Sequence, residues 1–419
     1  MRRLTLLLRC VFLAALCLLP ACAATTAQRQ PVASPDPAVQ QPTSVVRLTL
    51  WHSWSGAKLD ALNNLARSYE QAHPDVRISL QAQPATDIIR AYSLSVADGS
   101  APQIVLLMGR YVGELAERQY IAPLDDALSA DALGDLLPQA LDGTRFDDQL
   151  YGLPISFDTL ALFYDRRQTD APPTTFEQVL DLNASRRDQP AEQRPLSLGY
   201  YLSLETTLPY LNVFGGALLD DQRQPAFASQ SREATLRWLE WLKSLQANEQ
   251  VIASPDFSAV DAVMQQGRVL SAIDWLRRRS NYAQVWGADS VGIAPLPGLT
   301  PEAAPKALVL SEALCINTVI SAEQRAAAQD FLRYMVERSS QEILWSRGQV
   351  LPVHRQVAVD DAMQPVMAAA GEAQPLMSDI TAANLWRPLN DMLRSVMSNA
   401  ATPGEAIATA GAALQKPTP

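Results

Sequence analysis

The hydrophobic pattern of the chain centres on one apolar stretch that a single polar step interrupts. Two strand-like runs, Leu153–Phe157 and Leu160–Tyr164, flank Asp158 and Thr159. No glycine-rich turn separates the runs, so the pattern predicts a strand that continues straight on instead of a hairpin. A strand that leaves one hydrophobic core and enters another has this pattern, and we interpret Phe157-Asp158-Thr159 as the first crossing between two lobes. The alternative is an ordinary strand with a polar kink.

A strand–helix–strand unit opens the globular part of the chain. A β-rich run over 45–51 is followed by a turn, and apolar residues at helical spacing predict a helix over 57–72. A second strand follows, and units of this kind build α/β sheets. Ligands of such sheets lie beyond the C-terminal ends of the strands. The turn residues Ser53, Trp54 and Ser55 are therefore predicted to face a ligand.

Two later apolar segments contain the other predicted crossings. The long β-like run over 307–320 holds the second crossing, at Leu308–Ser311, and Gly348–Leu351 forms the third. The chain has 419 residues, more than one hydrophobic core usually serves, which also favours two lobes. The crossings predict an N-lobe of 45–156 plus 309–350 and a C-lobe of 157–308 plus 351–415.

Local signals predict helix starts and one exposed surface. In a capping box, a Ser or Thr and an acid or amide three residues later bond reciprocally to the backbone. Such boxes begin at Thr174, Ser321, Ser339 and Thr402. A helix over 234–245 carries aromatic residues that we expect in the core. The charge run Arg277-Arg278-Arg279 is most simply a solvated face.

Residues 1–22 have the pattern of a bacterial signal peptide, with two arginines, an apolar run and the ending Leu19-Pro20-Ala21-Cys22. This ending resembles a lipobox, so Cys22 is predicted to carry lipid and to anchor the protein to the cell membrane. Pro20 is uncommon there, which leaves cleavage by the ordinary signal peptidase open. A transmembrane anchor is disfavoured, because the run is short and contains an arginine. Residues 23–44 have few large apolar side chains and are predicted to form a disordered tether.

Charge and cysteine content narrow the classes of partner. A net charge of −10 and a pI near 4.9 argue against nucleic acid or an anionic membrane surface as a partner. Beyond the signal peptide only Cys315 remains, and it is predicted to be a buried small hydrophobic residue. No metal cluster, cofactor motif or enzyme signature is present, although plentiful carboxylates leave a glycosidase pair open.

Several segments, taken in order, resemble one family. They are Trp51–Gly56, Tyr69–Val76, Gly99–Val105, Ala171–Glu177, Gly215-Gly216, Gly292–Gly298, Ile316-Asn317 and the tail Trp386–Ala406. These segments are similar to extracellular solute-binding protein family 1, the sugar ABC importer family that includes maltose-binding protein. The resemblance implies an α/β, two-lobed periplasmic-binding-protein-like fold (type II) with a hinge and an interlobe cleft. It also implies an extracytoplasmic, monomeric binding protein, not an enzyme, that needs no cofactor and delivers a sugar or oligosaccharide to the importer's membrane subunits.

The resemblance also places candidate ligand contacts, and their chemistry suits a sugar. Arg110, Asp158, Glu205, Trp275 and Trp386 fall where the family touches sugar. Carboxylates and guanidinium groups bind hydroxyls, and flat aromatic rings stack on the C–H faces of a pyranose.

Two departures from the family pattern leave the identity of the ligand undecided. Leu106 and Gly109 stand where maltose-binding protein has an aromatic residue and an acid, so its maltodextrin subsites are not reproduced. One alternative function is a lipid-anchored carbohydrate-active enzyme that uses paired carboxylates. Another is the same fold binding a polyamine, a phosphodiester or a metal complex.

Overall fold

The computed structural model describes residues 45–125, 129–169, 171–186, 188–190, 193–220, 222–376 and 380–414, with only the backbone of 380–383. The predicted signal peptide, its Cys22 and the predicted tether lie outside the described residues. The strands in chain order are β1 Val46–His52, β2 Val76–Ala82, β3 Ile104–Met108, β4 Arg145–Phe146, β5 Gln149–Leu150, β6 Leu153–Asp165, β7 Leu198–Tyr201, β8 Val251–Ser254, β9 Ser271–Trp275, β10 Val291–Ala294, β11 Leu308–Ile316 and β12 Gln374–Pro375.

The described helices surround these strands. In chain order they are α1 Gly56–Ala72, α2 Ile88–Ala97, α3 Val112–Glu117, α4 Ala130–Gly134, α5 Pro138–Asp142, α6 Phe176–Asp181, α7 Leu204–Val213, α8 Arg232–Gln246, α9 Phe257–Gln265, α10 Arg279–Trp286, α11 Ala322–Val336, α12 Arg338–Gly348, α13 Gln364–Gly371, α14 Ile380–Met397 and α15 Pro403–Leu414. Single 3₁₀ turns occur at Gly109–Tyr111, Ala184–Arg186, Leu276–Arg278 and Ala288–Ser290. Among the described residues, no helix combines the length and the apolar character that crossing a membrane requires.

Strand β6 is the element that two sheets share. Its first part pairs antiparallel with β11, with Asp158 opposite Leu310 and Thr159 opposite Val309. From Leu160, which lies opposite Trp275, the strand pairs antiparallel with β9, and it then pairs with β10 as well. All 13 residues of β6 are buried. The prediction of a strand that continues straight through the polar step is therefore confirmed.

Each end of β6 belongs to a sheet with parallel strands. The first sheet has the order β2-β1-β3-β11-β6, with β1 parallel to β2 and β3. The second has the order β6-β9-β7-β8, with β7 parallel to both of its neighbours. We call them the N-lobe sheet and the C-lobe sheet. Because the strands within each parallel group point the same way, the loops after β1 and β3 share one edge, and those after β7, β8 and β9 share another.

The three predicted crossing segments lie side by side. Thr159 Oγ1 donates to the Leu308 carbonyl oxygen at 2.8 Å, and Phe157 forms a β-bridge with Leu351. Buried Gln341, in α12, fixes this region: its Nε2 donates to the Ile155 carbonyl at 2.9 Å, and its side-chain oxygen accepts from a backbone N–H of the following loop. The lobe boundaries and the hinge at these segments stay predictions.

Two of the four predicted capping boxes form. Ser321 and Gln324 cap α11 reciprocally, and Thr402 and Glu405 do the same for α15. The predicted position of the capping box at Thr174 is wrong by one residue. There the extended residue is Thr175, and its side chain accepts from the Gln178 N–H.

The box predicted at Ser339 is also wrong. Helix α12 begins at Arg338, directly after the boundary residue Glu337 that ends α11, so Ser339 lies inside the helix.

The core contains two side chains that the sequence places there. Trp238 of α8 is fully buried, and its indole N–H donates to the Thr207 carbonyl at 3.1 Å. Cys315 of β11 is fully buried as well, and burial raises the pKa of its thiol to about 12. The thiol therefore stays protonated and packs as a small hydrophobic group.

Candidate functional site

The ends of the parallel strands bring most predicted site residues to two facing edges. Ser53 and Ser55 are exposed in the turn after β1, and Arg110 lies in the 3₁₀ turn after β3. In the C-lobe sheet, Glu205 starts α7 just after β7, and Trp275 ends β9. These positions agree with the general rule that ligands of open α/β sheets lie beyond the C-terminal strand ends.

Arg110 and Glu205 form an ion pair that joins the two edges. Arg110 Nη1 lies 2.5 Å from Glu205 Oε1, and the Arg110 guanidinium also stacks on the neighbouring Tyr111 ring, 4.8 Å from its centroid. Ser203 fixes Glu205, because Ser203 and Thr206 form a capping box at the start of α7. Arg110 Nε is buried without a hydrogen-bond partner among the described residues.

Asp158, at the polar step of β6, forms an ion pair with Arg277. Its carboxylate accepts from Arg277 Nη1 at 2.7 Å, from the Arg277 backbone N–H at 3.2 Å and from the Thr159 N–H at 3.0 Å. Burial raises the pKa of Asp158 to about 6, although the Arg277 charge opposes the shift. Asp158 is thus tied to the loop after β9.

The prediction that Arg277-Arg278-Arg279 is a solvated face is confirmed for Arg277 and Arg279, which are exposed, whereas Arg278 is half-buried. Arg277 pairs with Asp158, and Arg278 pairs with Asp261 at 2.5 Å and with Asp274 at 2.8 Å. A charge run in sequence does not by itself reveal these carboxylates. Asp158 in β6 and Asp261 in α9 come from other parts of the chain, whereas Asp274 lies four residues before Arg278.

A further charged group, centred on Glu312 of β11, was not predicted from the sequence. Glu312 accepts from the Trp54 indole N–H at 3.0 Å, from Lys58 Nζ at 3.1 Å and from the Ser156 hydroxyl at 2.9 Å. Burial by itself raises the pKa of this carboxyl, but Lys58 and the two hydrogen bonds hold it below its ordinary value. The signal in the sequence was a single acid inside the long apolar run over 307–320.

The three predicted tryptophans differ in their surroundings. Trp54 is 4% exposed, and its indole N–H is used by Glu312. Trp275 is also 4% exposed, and the Arg277 guanidinium lies over its ring at 4.8 Å. Trp386 is half-buried in α14, which packs against α3 and α7. Trp275 therefore contacts the Asp158–Arg277 pair through the Arg277 guanidinium. Trp386 is connected to the site by its helix α14, which packs against α3 and α7.

Among the described residues, no group of three or more His, Cys, Asp or Glu side chains is placed to hold a metal ion. The charged side chains named above are instead paired with groups of opposite sign. Arg110 pairs with Glu205, Arg277 with Asp158, Lys58 with Glu312, and Arg278 with Asp261 and Asp274.

A family model matches the chain, and the proteins similar to it include two sugar-binding proteins. The model, described as bacterial extracellular solute-binding protein, matches residues 64–372. A maltotriose-binding protein of Pyrococcus abyssi (strain GE5 / Orsay) is 24% identical over 181 residues, which are 42% of this chain and only 38% of that protein. A maltooligosaccharide ABC transporter solute-binding lipoprotein of Streptococcus pneumoniae (strain ATCC BAA-255 / R6) is 22% identical over 417 residues, 94% of this chain and 92% of that protein.

Solved structures match the fold over most of the chain. The GacH receptor of Streptomyces glaucescens has a TM-score of 0.74 at 22% identity, over 88% of this chain and 97% of that one. A cyclo/maltodextrin-binding protein complexed with maltotetraose has a TM-score of 0.75 at 16% identity, over 90% of this chain and 98% of that one. The α/β, two-lobed periplasmic-binding-protein-like fold is therefore confirmed.

Proposed function

Since the chain belongs to the bacterial extracellular solute-binding protein family, we propose that it is the extracytoplasmic binding component of an ABC importer and binds a carbohydrate in the interlobe cleft. The observation that carries this proposal is the set of neutralised ion pairs at the two strand edges. Hydrogen bonds from charged groups to hydroxyls are stronger than those between neutral groups. Paired charges can therefore bind a polyhydroxylated ligand without demanding a charge on it.

The ion pairs favour a neutral ligand over the polyamine alternative. Asp158, Glu205 and Glu312 each already face a cationic side chain. A polyamine would have to displace these cations or leave them buried beside its own charge, which is costly. A sugar hydroxyl can both donate and accept, so it fits beside an intact pair.

Binding without catalysis is the second element of the proposal, and it is supported by the relatives described above, which are binding proteins. One observation favours the enzyme alternative: burial raises the pKa of Asp158, whereas its surroundings lower that of Glu312. A difference of this kind is typical of acid–base pairs. Against it, Glu312 is occupied by three donors, and Asp158 by Arg277. Analysis of sugar products after long incubation separates the two functions.

The proposed lobes are 45–156 with 309–350, and 157–308 with 351–415. They would close about Phe157–Thr159, Leu308–Ser311 and Gly348–Leu351, where β6 leaves one sheet for the other. Ligand contacts from both lobes would favour the closed arrangement, as in other hinge proteins.

The proposed partners and location extend this function. Lipid on Cys22 would anchor a monomer to the membrane, and the tether over 23–44 would let it reach the importer's membrane subunits. The printed name of the pneumococcal relative, a lipoprotein of an ABC transporter, supports both points.

Titration calorimetry with three classes of probe tests the ligand. We expect saturable binding of maltose, maltotriose or maltotetraose, and none of spermidine or glycerophosphocholine. Binding of spermidine together with a failure to bind every sugar in a broad oligosaccharide panel would overturn the proposal.

A further inference from the structure

One carboxylate of the N-lobe sheet lies behind the turn that we expect to face the ligand. Glu312 of β11 accepts from the Trp54 indole N–H at 3.0 Å and from Lys58 Nζ at 3.1 Å. Trp54 is the middle residue of the turn Ser53–Ser55, and Lys58 lies in the first turn of α1. The Glu312 carboxylate therefore joins this turn, and the helix that follows it, to a strand of the sheet.

Trp54, Lys58 and Glu312 contact one another as a closed group. Glu312 Oε1 binds the edge of the indole ring, and Lys58 Nζ lies over the ring, 5.4 Å from its centroid. Lys58 Nζ also donates to Glu312 Oε2. A hydrogen-bonded charge network that is largely shielded from water holds one arrangement, because a partner lost from it is expensive.

The position of Glu312 in the sheet suits an anchor. It lies opposite Ser156 of β6, whose hydroxyl donates to it at 2.9 Å. The pairing of β11 with β6 shifts register between Glu312 and Ala313, and a local shift of this kind re-aims a side chain. Glu312 also directly follows Leu308–Ser311, the predicted second crossing, so the anchor is fixed to a segment about which the lobes would close.

Local capping does not fix the turn. In the described part of the chain, the side chain of Ser55, the N-cap residue of α1, makes no capping hydrogen bond. The next residue, Gly56, has a φ of 57°, a conformation that glycine adopts without strain. Ser53 and Ser55 are exposed, whereas Trp54 between them is buried. The positions of the two serines therefore depend on how Trp54 is held.

From this geometry we propose that Glu312 is a positioning residue for ligand binding. Through Trp54 and Lys58 it holds Ser53 and Ser55 in the arrangement that binds the carbohydrate, and it sets the affinity by acting through the turn. A turn that is ordered before binding loses less conformational entropy when the ligand arrives. This inference rests on the proposed function, and it adds a residue that the family resemblance did not mark.

A double-mutant cycle tests this role by calorimetry, with the tightest-bound sugar among maltose, maltotriose and maltotetraose. Trp54→Phe keeps an aromatic ring and removes the indole N–H, and Glu312→Leu removes the acceptor. We expect each to bind about tenfold more weakly than wild type, the lower end of the effect of removing hydrogen-bond partners behind metal ligands. The double variant should bind no more weakly than the weaker single variant, because both changes break the same arrangement.

Two further variants separate positioning from general stability. Glu312→Gln keeps an acceptor for the indole N–H and is expected to bind more tightly than Glu312→Leu. Asp165→Leu is the matched control: Asp165 is a buried carboxylate of β6 that pairs with Arg167 at 2.8 Å, at the end of the strand away from the crossing. It should keep wild-type affinity even where its melting temperature falls.

Hydrogen exchange without ligand measures the turn itself. The backbone amides of 53–58 should exchange faster in Trp54→Phe and Glu312→Leu than in wild type, and those of helix α2 should not change. Additive losses of affinity, wild-type affinity in Trp54→Phe, or unchanged exchange of 53–58 would overturn the positioning role and leave the carbohydrate proposal standing. If Glu312→Leu does not fold, Trp54→Phe alone decides by the last two outcomes. A wild type that binds none of the three sugars counts against the proposed function, whereas the exchange of the turn still judges the positioning.

Discussion

Replacing Glu205 by glutamine tests whether the Arg110–Glu205 ion pair holds the two proposed lobes together. Glutamine keeps the shape of the side chain and removes its charge, so Arg110 loses the carboxylate that lies 2.5 Å from its Nη1. Arg110 follows a strand of the N-lobe sheet, and Glu205 follows a strand of the C-lobe sheet. The pair therefore joins the two strand edges that border the proposed cleft.

The magnitude follows from the exposure of the pair. Two unit charges about 4 Å apart attract by about 4 kcal/mol at an effective dielectric constant of about 20. The side chains of Arg110 and Glu205 are 30% and 18% exposed, so water screens part of this attraction. Fully exposed pairs contribute only about 0–1 kcal/mol. We expect this pair to favour closure by about 1–2 kcal/mol, and Glu205→Gln to lower the closed population and the apparent affinity about 5- to 30-fold.

Small-angle X-ray scattering and titration calorimetry measure the two effects on the same samples. Glu205→Gln is expected to have a larger radius of gyration and weaker binding than wild type. Both differences should shrink at about 1 M salt, where the screening length is about 3 Å. The charge-reversed double variant Arg110→Glu, Glu205→Arg is expected to recover the compact form.

Glu114→Gln is the matched control, because Glu114 of α3 pairs at 3.1 Å with Arg118, the residue that directly follows this helix, and so joins no two lobes. Its scattering and affinity should equal those of wild type. If Glu205→Gln also matches wild type in both measurements at low salt, the reasoning about the ion pair is refuted.

Three further predictions concern pH, stacking and the anchor. Burial raises the pKa of Asp158 from 3.8 to about 6. The protonated carboxyl therefore stabilises the folded state at low pH, and this stabilisation is lost as the pH rises through about 6. In urea unfolding, the free energy of unfolding of wild type minus that of Asp158→Asn should fall by up to about 3 kcal/mol between about pH 4 and pH 7, and a difference that stays constant with pH contradicts this. Trp386→Ala should weaken sugar binding roughly a hundredfold with little change in melting temperature if this half-buried ring stacks on the ligand. Trp275→Ala should also lower the melting temperature, because its ring is only 4% exposed and truncating a buried tryptophan costs about 3–5 kcal/mol, and a melting drop without a binding defect marks a core residue. Mass spectrometry of the mature N-terminus should find lipid on Cys22, and an unmodified peptide beginning at Ala23 or later rules it out.

Local patterns predicted the elements well. Helix α1 and strand β1 differ from their predicted bounds by one residue, because an apolar period extends over many positions and tolerates an error at the ends. The straight course of β6 was readable because the polar step lacks turn residues. The capping box at Thr174 failed by a single position, since Thr174 and Thr175 are chemically equal and only the backbone decides between them.

The pairing of site residues could not be read from local patterns. Arg110 and Glu205 are 95 residues apart, and Lys58 and Glu312 are 254 apart. Such contacts depend on how the two sheets meet at β6, and no period or motif encodes that. For this reason the carboxylate partners of Arg277 and Arg278 were not predicted, and Glu312 was passed over inside an apolar run.

The neighbourhood of β11 has a consequence for the order in which the chain can fold. β11 fills the space between β3 and β6, yet it is made of Leu308–Ile316, almost 200 residues after β3 ends. Until that segment arrives, the N-lobe sheet exposes two open strand edges, which are prone to pair with other chains. A fragment that ends before Leu308 is therefore not a self-sufficient half, and contacts this distant in sequence slow folding. The N-lobe sheet therefore cannot be completed until about three quarters of the 419 residues have been synthesised.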